Sequence, residues 1–244
     1  MFSYFFRSNW PGEYSFKVSF ENQEKNNISK HINWTYSETS NKLYVMKDAS
    51  CPVNFSTNRA MHHGCTVRVM AVYSAPEHFA QPVTRCLNHS RSELEKDVFE
   101  AEHLIRSESS FASYQTDSGS GRHSVIVPFE NPPECITKQG YYTTDEWPDL
   151  GLNSQQPPPT KTFGHKHVDP NRLKAVSYDS SCAGGPNRRL LTLIFTLELG
   201  DIVLGRQSLE LKICANPRRD REIAEKRKPE PSASKFKPPE EIII

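Results

Sequence analysis

The chain has 244 residues and a formal net charge of +1, so bulk charge alone indicates neither a nucleic-acid nor a membrane partner. This length can bury one large core, and all-β sandwiches of about 200–250 residues are common as single domains. No stretch of the sequence approaches the ~18 consecutive apolar residues of a membrane-spanning helix. The six cysteines are scattered, which excludes the disulfide framework of a small secreted domain.

Alternating apolar and polar residues predict β-strands along much of the chain. In chain order these strands cover 14–20, 67–73, 123–129, 191–197 and 209–213. The run 191–197 is partly apolar on both faces, which is typical of a central strand. Short strands separated by Gly, Pro, Asn and Ser clusters indicate a mainly β chain folded as an antiparallel β-sandwich.

Two stretches interrupt the strand pattern. Residues 90–101 have a helix-forming composition with weak amphipathicity, and we expect a short turn or helix within a loop. Residues 141–174 contain the triplet Pro157-Pro158-Pro159 and show no periodicity. A stretch of that length predicts a flexible surface insertion.

The last predicted element is a helix over 218–228. Asn216 is a good N-cap, Pro217 suits the first helical turn, and Pro229 ends the helix. Eight Lys or Arg and four Asp or Glu give residues 205–228 a local net charge of 8 − 4 = +4. The helix has almost no apolar face, and its first turns hold cations where the helix dipole disfavours them. A bound polyanion would relieve that conflict, and a solvated terminal helix is the alternative.

Two short motifs carry possible chemistry. Cys86 and His89 form a Cys-x2-His pair, and Cys182 lies in a Gly-Gly-Pro loop just before Arg188 and Arg189. Zinc takes tetrahedral Cys and His ligands from such pairs, although a buried thiol beside a surface histidine is the alternative. Adjacent arginines at the start of an apolar run have no core partner in sequence, so they project into solvent or onto an anion.

Four Asn-x-Ser/Thr triplets would accept glycans in a secreted protein, at Asn27, Asn33, Asn54 and Asn88. The aromatic start of the chain has no basic region before it and makes a poor signal peptide. We therefore expect these triplets to be chance occurrences and the protein to reside inside the cell.

Motifs in a fixed order then point to a family. They are Tyr14–Phe20, Thr35–Ser37, Asn41–Leu43, Cys51–Val53, Val67–Tyr73, Arg85–His89, His103–Arg106, Arg122–Pro128, Ser180–Arg189, Leu204–Arg206 and Cys214–Arg221. The arginine loop at 180–189 together with Pro-x-Arg-Asp-Arg at 217–221 is highly specific. By these motifs the chain resembles the DNA-binding domain of the p53 tumour-suppressor transcription factors and their two paralogous branches.

The resemblance implies an immunoglobulin-like antiparallel β-sandwich with large zinc-tied loops and a C-terminal loop-sheet-helix element. On this basis we expect an N-terminal extension at 1–11 and the DNA-binding sandwich at 12–228, including the insertion at 141–174. The Pro, Ser, Lys and Glu-rich tail at 229–244 is expected to be disordered.

The resemblance also implies DNA contacts for individual residues. Arg188 matches an arginine that enters the minor groove, and Arg219 matches a helix arginine that binds guanine in the major groove. Lys30 matches a loop lysine that reaches a base edge. Lys212 and Ser181 match residues that contact phosphates, and Ala215 matches a residue that contacts a thymine methyl. Three arginines are expected to brace the loops and the helix: Arg85, Arg189 and Arg221.

One zinc ion is implied as cofactor, with three matching ligands at Cys86, His89 and Cys182. Tyr178 stands where the family has a further loop thiol, and its hydroxyl would have to lose a proton with a pKa near ~10 to bind zinc. Three outcomes stay open. A water completes the ligand set, His165 or His167 of the insertion completes it, or the loops are held without metal.

Three further departures affect DNA binding. Glu222 replaces a phosphate-contacting arginine, which should lower affinity. Lys212 replaces an arginine and gives up the bidentate fork. Asn216 replaces a thiol at the major groove, so the base preference there should shift.

We interpret the chain as a sequence-specific binder of double-stranded DNA and a transcription factor for stress, cell-cycle or apoptosis genes. We expect paired half-sites, a homo-oligomer on DNA, no membrane partner, and a nuclear as well as cytoplasmic location. No catalytic motif with matching context is present, so no enzyme activity is expected. The alternative is an immunoglobulin-like interaction or adhesion module that does not bind DNA.

Overall fold

The computed structural model describes residues 8–20, 32–96, 98, 100–129, 172–175, 185–186 and 189–227. The strands are β1 (Lys17–Ser19), β2 (Trp34–Ser37), β3 (Lys42–Val45), β4 (Ser50–Pro52), β5 (Asn54–Ser56), β6 (Cys65–Tyr73), β7 (Ile105–Ser107), β8 (Ser113–Thr116), β9 (His123–Pro128), β10 (Arg172–Ala175), β11 (Leu191–Leu199) and β12 (Ile202–Ile213). The α-helices are α1 (Leu87–Leu94) and α2 (Pro217–Arg227), and a short 3-10 turn covers Pro76–His78. Within the described ranges, no helix is long and apolar enough to cross a membrane.

The strands form three sheets. The largest has the order β2-β3-β12-β11-β6-β9-β8, the second has the order β4-β10-β7, and β1 pairs with β5. The mainly β class is confirmed. Within the sandwich the pair of β3 with β12 is parallel, with Leu43 opposite Leu211, and the other pairs of the described strands are antiparallel. A parallel pair needs a long connection, and here most of the domain lies between the two strands.

Strand β11 occupies the centre of the seven-stranded sheet, as its apolar faces predict. Leu193 and Phe195 on one face join the main core, whereas Ile194 on the other face packs with Val72 and Phe79. Side chains of a strand alternate between the two faces, so a strand covered on both sides must be apolar on both.

The main core lies between the large sheet and the smaller ones, which makes the fold a sandwich. Its buried members from the three sheets include Val18, Cys51, Val67, Val69, Ile105, Val125, Leu173, Leu193, Leu209 and Leu211. Strand β6 shows how the alternating sequence pattern produces one face of this core. Every second side chain from Cys65 onward is buried.

The N-terminal boundary differs from the prediction. Trp10 forms a backbone bridge with Arg206 of β12, with N···O distances of 2.8 and 2.6 Å. The side-chain oxygen of Asn9 accepts the backbone N–H of Ser208 at 2.8 Å. The extension predicted at 1–11 is therefore wrong for residues 9–11, which lie on the edge of the sandwich.

Three other boundaries also differ. The strand predicted at 14–20 is limited to Lys17–Ser19 because Ser15 lies in a turn with φ of 50°. Helix α1 begins before, and ends within, the stretch 90–101. The insertion predicted to reach 174 ends earlier, since β10 pairs Leu173 with both Cys51 and Ser107 and buries its side chain. The rest of the insertion, 141–171, and the tail at 229–244 lie outside the described residues.

Gly205 tests the close approach of the N-terminal segment to β12. A Cβ at this position would lie 2.8 Å from Cβ of Phe16 and 3.0 Å from the carbonyl oxygen of Pro11, so the backbone would have to move. We expect Gly205→Ala to lower the free energy of unfolding by about 1–3 kcal/mol in urea denaturation. Gly119→Ala is the matched control, because the nearest atom to its Cβ is a side-chain oxygen at 3.7 Å. Equal stability of the two variants would contradict this packing.

Candidate nucleic-acid interface

Helix α2 begins at a capped and exposed N-terminus. The side-chain oxygen of Asn216 accepts the backbone N–H of Arg219 at 3.0 Å, and its backbone oxygen accepts the N–H of Asp220 at 3.1 Å. Pro217 occupies the first helical position and is buried. The predicted N-cap and the helix are confirmed. The cap satisfies a backbone donor that a helix N-terminus otherwise leaves without a partner.

Arg221 attaches this polar helix to the sandwich. Its guanidinium donates to the hydroxyl of Thr35 on β2 at 2.9 Å and to the carboxylate of Glu225 at 2.8 Å. Ser37 of the same strand donates to Glu225 at 2.7 Å. Thr35 and Ser37 are buried, whereas the side chains of Arg221 and Glu225 are about one-third exposed, so the sandwich side of this contact is enclosed and its outer side is open to solvent. It gives Arg221 the contacts that a bracing role requires.

The end of β12 presents a second cation beside the helix. Lys212 Nζ lies 2.8 Å from the carboxylate of Asp220, which raises the pKa of the lysine and fixes its direction. Next to it, burial raises the pKa of the Cys214 thiol to about 11, so this thiol stays protonated and unreactive at neutral pH.

The three arginines of α2 differ in what they contact. Arg218 pairs with Glu222 at 3.0 Å, one helical turn later, and Arg221 is held as described above. Arg219 is exposed, and its guanidinium has no hydrogen-bond or ion-pair partner among the residues that the structure describes. Ala215 and Asn216 beside it are exposed as well. The start of α2 thus offers an uncommitted guanidinium to an external acceptor.

Arg189 is fixed on the other side of the same surface. Its guanidinium lies 3.8 Å above the ring of Tyr73, donates to the Tyr73 hydroxyl at 2.7 Å, and reaches Gln81 at 2.8 Å. Its Nε also donates to the backbone oxygen of Pro186 at 3.1 Å. These contacts hold the loop backbone on β6, which suits a brace and leaves this arginine less available to a ligand.

A groove of about 360 Å³ lies between the loop at Arg189, the end of β12 and the start of α2. Its walls include Arg189 from the loop, Lys212 and Cys214 from β12 and its end, and Ala215 and Asp220 from the start of α2. The structure therefore brings the predicted residues Arg189, Lys212 and Ala215, from two segments of the chain, to one surface.

Arg85 lies in a second, buried cluster. Its guanidinium is 3% exposed and makes two hydrogen bonds to the carboxylate of Glu93, at 2.6 and 2.8 Å, and one to the backbone oxygen of Ala101 at 2.8 Å. Arg106 donates to the same carboxylate at 2.6 Å. Hydrogen bonds from Arg85 have the largest effect on the pKa of Glu93, and those from Arg106 add to it, so this pKa is lowered to about 2.

Cys86 and His89 meet on the first turn of α1. Cys86 Sγ lies 2.7 Å from Nδ1 of His89, and the thiol is buried. The two donor types fit one side of a zinc site. In the part of the chain that the structure describes, no group of three or more His, Cys, Asp or Glu side chains could hold a metal ion. A complete site would need donors from elsewhere.

Several predicted site residues lie outside the described residues, namely Lys30, Tyr178, Ser181, Cys182 and Arg188, together with His165 and His167. The sequence reasoning also missed the partners that fix the arginines: Thr35, Tyr73, Gln81, Glu93, Asp220 and Glu225. For Arg85 a signal existed, because a buried arginine requires a carboxylate and the helix-forming stretch at 90–101 contains one at Glu93.

The P53 DNA-binding domain model matches residues 6–144 and 175–228 of the chain. These ranges include both described clusters and the start of the sandwich at Trp10.

Several proteins are similar over most of the chain. Cellular tumor antigen p53 of Oryzias latipes is 34% identical over 219 residues, which are 89% of this chain and 52% of that protein. The p53 of Xenopus laevis is 33% identical over 222 residues, 88% of this chain and 51% of that protein. The p53 of Ictalurus punctatus is 34% identical over 233 residues, 93% of this chain and 53% of that protein. The chain spans about half the length of these curated relatives.

Glu93 gives a pH-dependent prediction. Its pKa is lower in the folded state than the ordinary value of 4.5, so its contribution to stability is present above pH 4.5 and is lost as the pH falls toward 2. Glu93→Gln leaves Arg85 buried without its carboxylate, and we expect a loss of about 3–5 kcal/mol in unfolding free energy.

The exposed Glu95, at the end of the same helix, provides the control. Glu95→Gln should retain both the stability and the acid dependence of the parent in chemical denaturation between pH 3 and 7. An equal effect of the two substitutions would contradict the described network.

Proposed function

The chain belongs to the p53 DNA-binding domain family, and from that premise we propose that it binds double-stranded DNA through α2, the end of β12 and the adjoining loop. Members of this family are DNA-binding domains of transcription factors and not enzymes. The chain is accordingly a sequence-specific DNA-binding domain of a transcription factor.

One observation supports Arg219 as the residue that recognises a base. Arg219 is exposed on the first turn of α2, and within the described residues its guanidinium has no acceptor, whereas Arg218 and Arg221 have one. A helix that enters the major groove commonly reads base edges with residues at its N-terminal end. Arginine makes two hydrogen bonds to O6 and N7 of guanine. These points support Arg219 as the residue that binds guanine.

Other residues supply the surroundings of that contact. The ammonium of Lys212, directed by Asp220, is suited to a phosphate oxygen, and exposed Ala215 offers a methyl surface to thymine. Three further contacts complete the proposal. Lys30 would contact a base, Ser181 a phosphate, and Arg188 the minor groove. Arg85, Arg189 and Arg221 are proposed to position these residues and not to bind bases.

Glu222 modifies the affinity of this surface. Its carboxylate pairs with Arg218 at 3.0 Å on the exposed side of α2, so the pair adds no net positive charge there. A face that neutralises fewer phosphates releases fewer counterions and binds DNA less tightly. We expect a shallower salt dependence than an arginine at position 222 would give.

The wider biological role is proposed from the family resemblance. It comprises paired half-sites, assembly of copies on DNA, a nuclear and cytoplasmic location, and control of stress, cell-cycle or apoptosis genes. The proteins named cellular tumor antigen p53 support this role.

Zinc is proposed as a structural ion. Cys86 and His89 would supply two ligands and Cys182 a third, while the fourth remains open among a water, His165 and His167. A bound zinc ion would tie the loops together and supply no chemistry. The converging thiol and imidazole on α1 support the first two ligands.

A comparison of Arg219→Ala with Arg218→Ala tests the proposed reading residue. The two changes remove the same charge from neighbouring exposed positions. We expect Arg219→Ala to weaken specific binding by about 1–3 kcal/mol and to relax the preference for one guanine. Arg218→Ala should have a smaller effect that is similar for all sequences, because Glu222 already neutralises Arg218.

The measurement is fluorescence anisotropy with a labelled duplex that carries paired half-sites, against a scrambled duplex. Equal affinity of the unsubstituted chain for both duplexes would refute sequence-specific binding. Equal losses in the two variants would refute the special role of Arg219 alone.

Metal removal tests the zinc proposal. We expect about one zinc ion per chain by atomic absorption, and a lower melting temperature and weaker duplex binding after chelation. Cys86→Ser should reduce the metal content and make the melting temperature insensitive to the chelator. A chain whose stability and duplex binding are unchanged by chelation would exclude a structural zinc.

A further inference from the structure

Asn216 has a fixed orientation at the start of α2. Its side-chain oxygen accepts the backbone N–H of Arg219 at 3.0 Å. Only the oxygen of the amide can accept a hydrogen bond from an N–H group, so this contact also identifies which end of the amide is which. The oxygen points back toward the helix, and the amide nitrogen lies at the opposite end of the group.

The amide nitrogen is available to a ligand. Asn216 is exposed, and its two N–H donors meet no acceptor among the residues that the structure describes. The side chain lies between exposed Ala215 and the first turn that presents Arg219. It therefore adds a donor-only group beside the guanidinium that the proposed function assigns to guanine.

We propose that Asn216 is a specificity-determining residue that reads a keto oxygen, guanine O6 or thymine O4, at a base pair next to the guanine bound by Arg219. This inference rests on the proposed function. Asparagine normally recognises adenine with both its oxygen and its nitrogen, accepting from N6 and donating to N7. Here the cap turns the oxygen toward the helix, so the outward part of the amide can only donate. Both purines carry N7, so a donor distinguishes bases only at the neighbouring major-groove edge atom, which is a keto oxygen in guanine and thymine and an amino group in adenine and cytosine. A donor pairs with a keto oxygen and not with the amino groups of cytosine or adenine at the corresponding position.

The capping role and the reading role can be separated by substitution. Asp and Ser both cap helices well, so Asn216→Asp and Asn216→Ser keep the hydrogen bond to Arg219. Asp replaces the outward N–H donors by a carboxylate oxygen, which accepts from the amino group of cytosine. Ser leaves no group that extends outward as far as the amide.

The test is selection from a duplex library that has randomised bases around the half-site, followed by affinity measurements on single-base variants. The unsubstituted chain should prefer guanine or thymine at one position by roughly three- to tenfold, the range of one hydrogen bond. Asn216→Ser should lose this preference and keep the guanine read by Arg219. Asn216→Asp should bind more weakly overall and favour cytosine or adenine at that position.

Amide hydrogen exchange of residues 217–227 verifies that the cap survives in both variants. An unsubstituted chain that selects no sequence refutes the proposed function itself. A chain that selects a sequence, but whose Asn216→Ser variant selects the same bases at every position, overturns the role of Asn216. If Asn216→Asp abolishes binding through repulsion from phosphates, Asn216→Ser still decides the question.

Discussion

The position of helix α2 depends on the guanidinium of Arg221. The helix is polar over most of its surface, so burial of apolar side chains contributes little to its attachment. Arg221 instead joins it to the buried hydroxyl of Thr35, while Ser37 holds the paired carboxylate of Glu225. A few directional hydrogen bonds give the helix one orientation on β2. That orientation also sets the direction of the side chains on its first turn.

The same principle separates two kinds of arginine in the molecule. Arg85 and Arg221 each donate to a carboxylate of the protein, and Arg189 donates to a backbone carbonyl and to the hydroxyl of Tyr73. Arg219 meets none within the described residues and faces solvent. The planar guanidinium suits both tasks, because its donors fork onto a rigid acceptor whether that acceptor is a side chain or a guanine edge. What differs is the availability of an acceptor in the fold.

The sequence predicted those elements that are determined by neighbouring residues in the chain. Period-2 alternation located β6, β9, β11 and the end of β12, and the N-cap chemistry of Asn216 located the start of α2. Long-range pairing left no such signal. The parallel contact of β3 with β12, the bridge of Trp10 to Arg206 and the attachment of Arg189 to Tyr73 join residues that are far apart in the chain. They emerge only when the sandwich has formed, which is why the partners Thr35, Tyr73 and Gln81 were missed. The carboxylates of Glu93, Asp220 and Glu225 lie within eight residues of their cations, so sequence spacing could have indicated them.

Amide hydrogen exchange of Arg221→Ala and Arg219→Ala tests this account most directly, together with duplex affinity. We predict that Arg221→Ala loses protection over residues 217–227, keeps it in β6 and β11, and binds the specific duplex weakly. Arg219→Ala should lose affinity with full protection of the helix. Retained protection of α2 in Arg221→Ala would contradict the claim that this guanidinium holds the proposed DNA-binding helix in place.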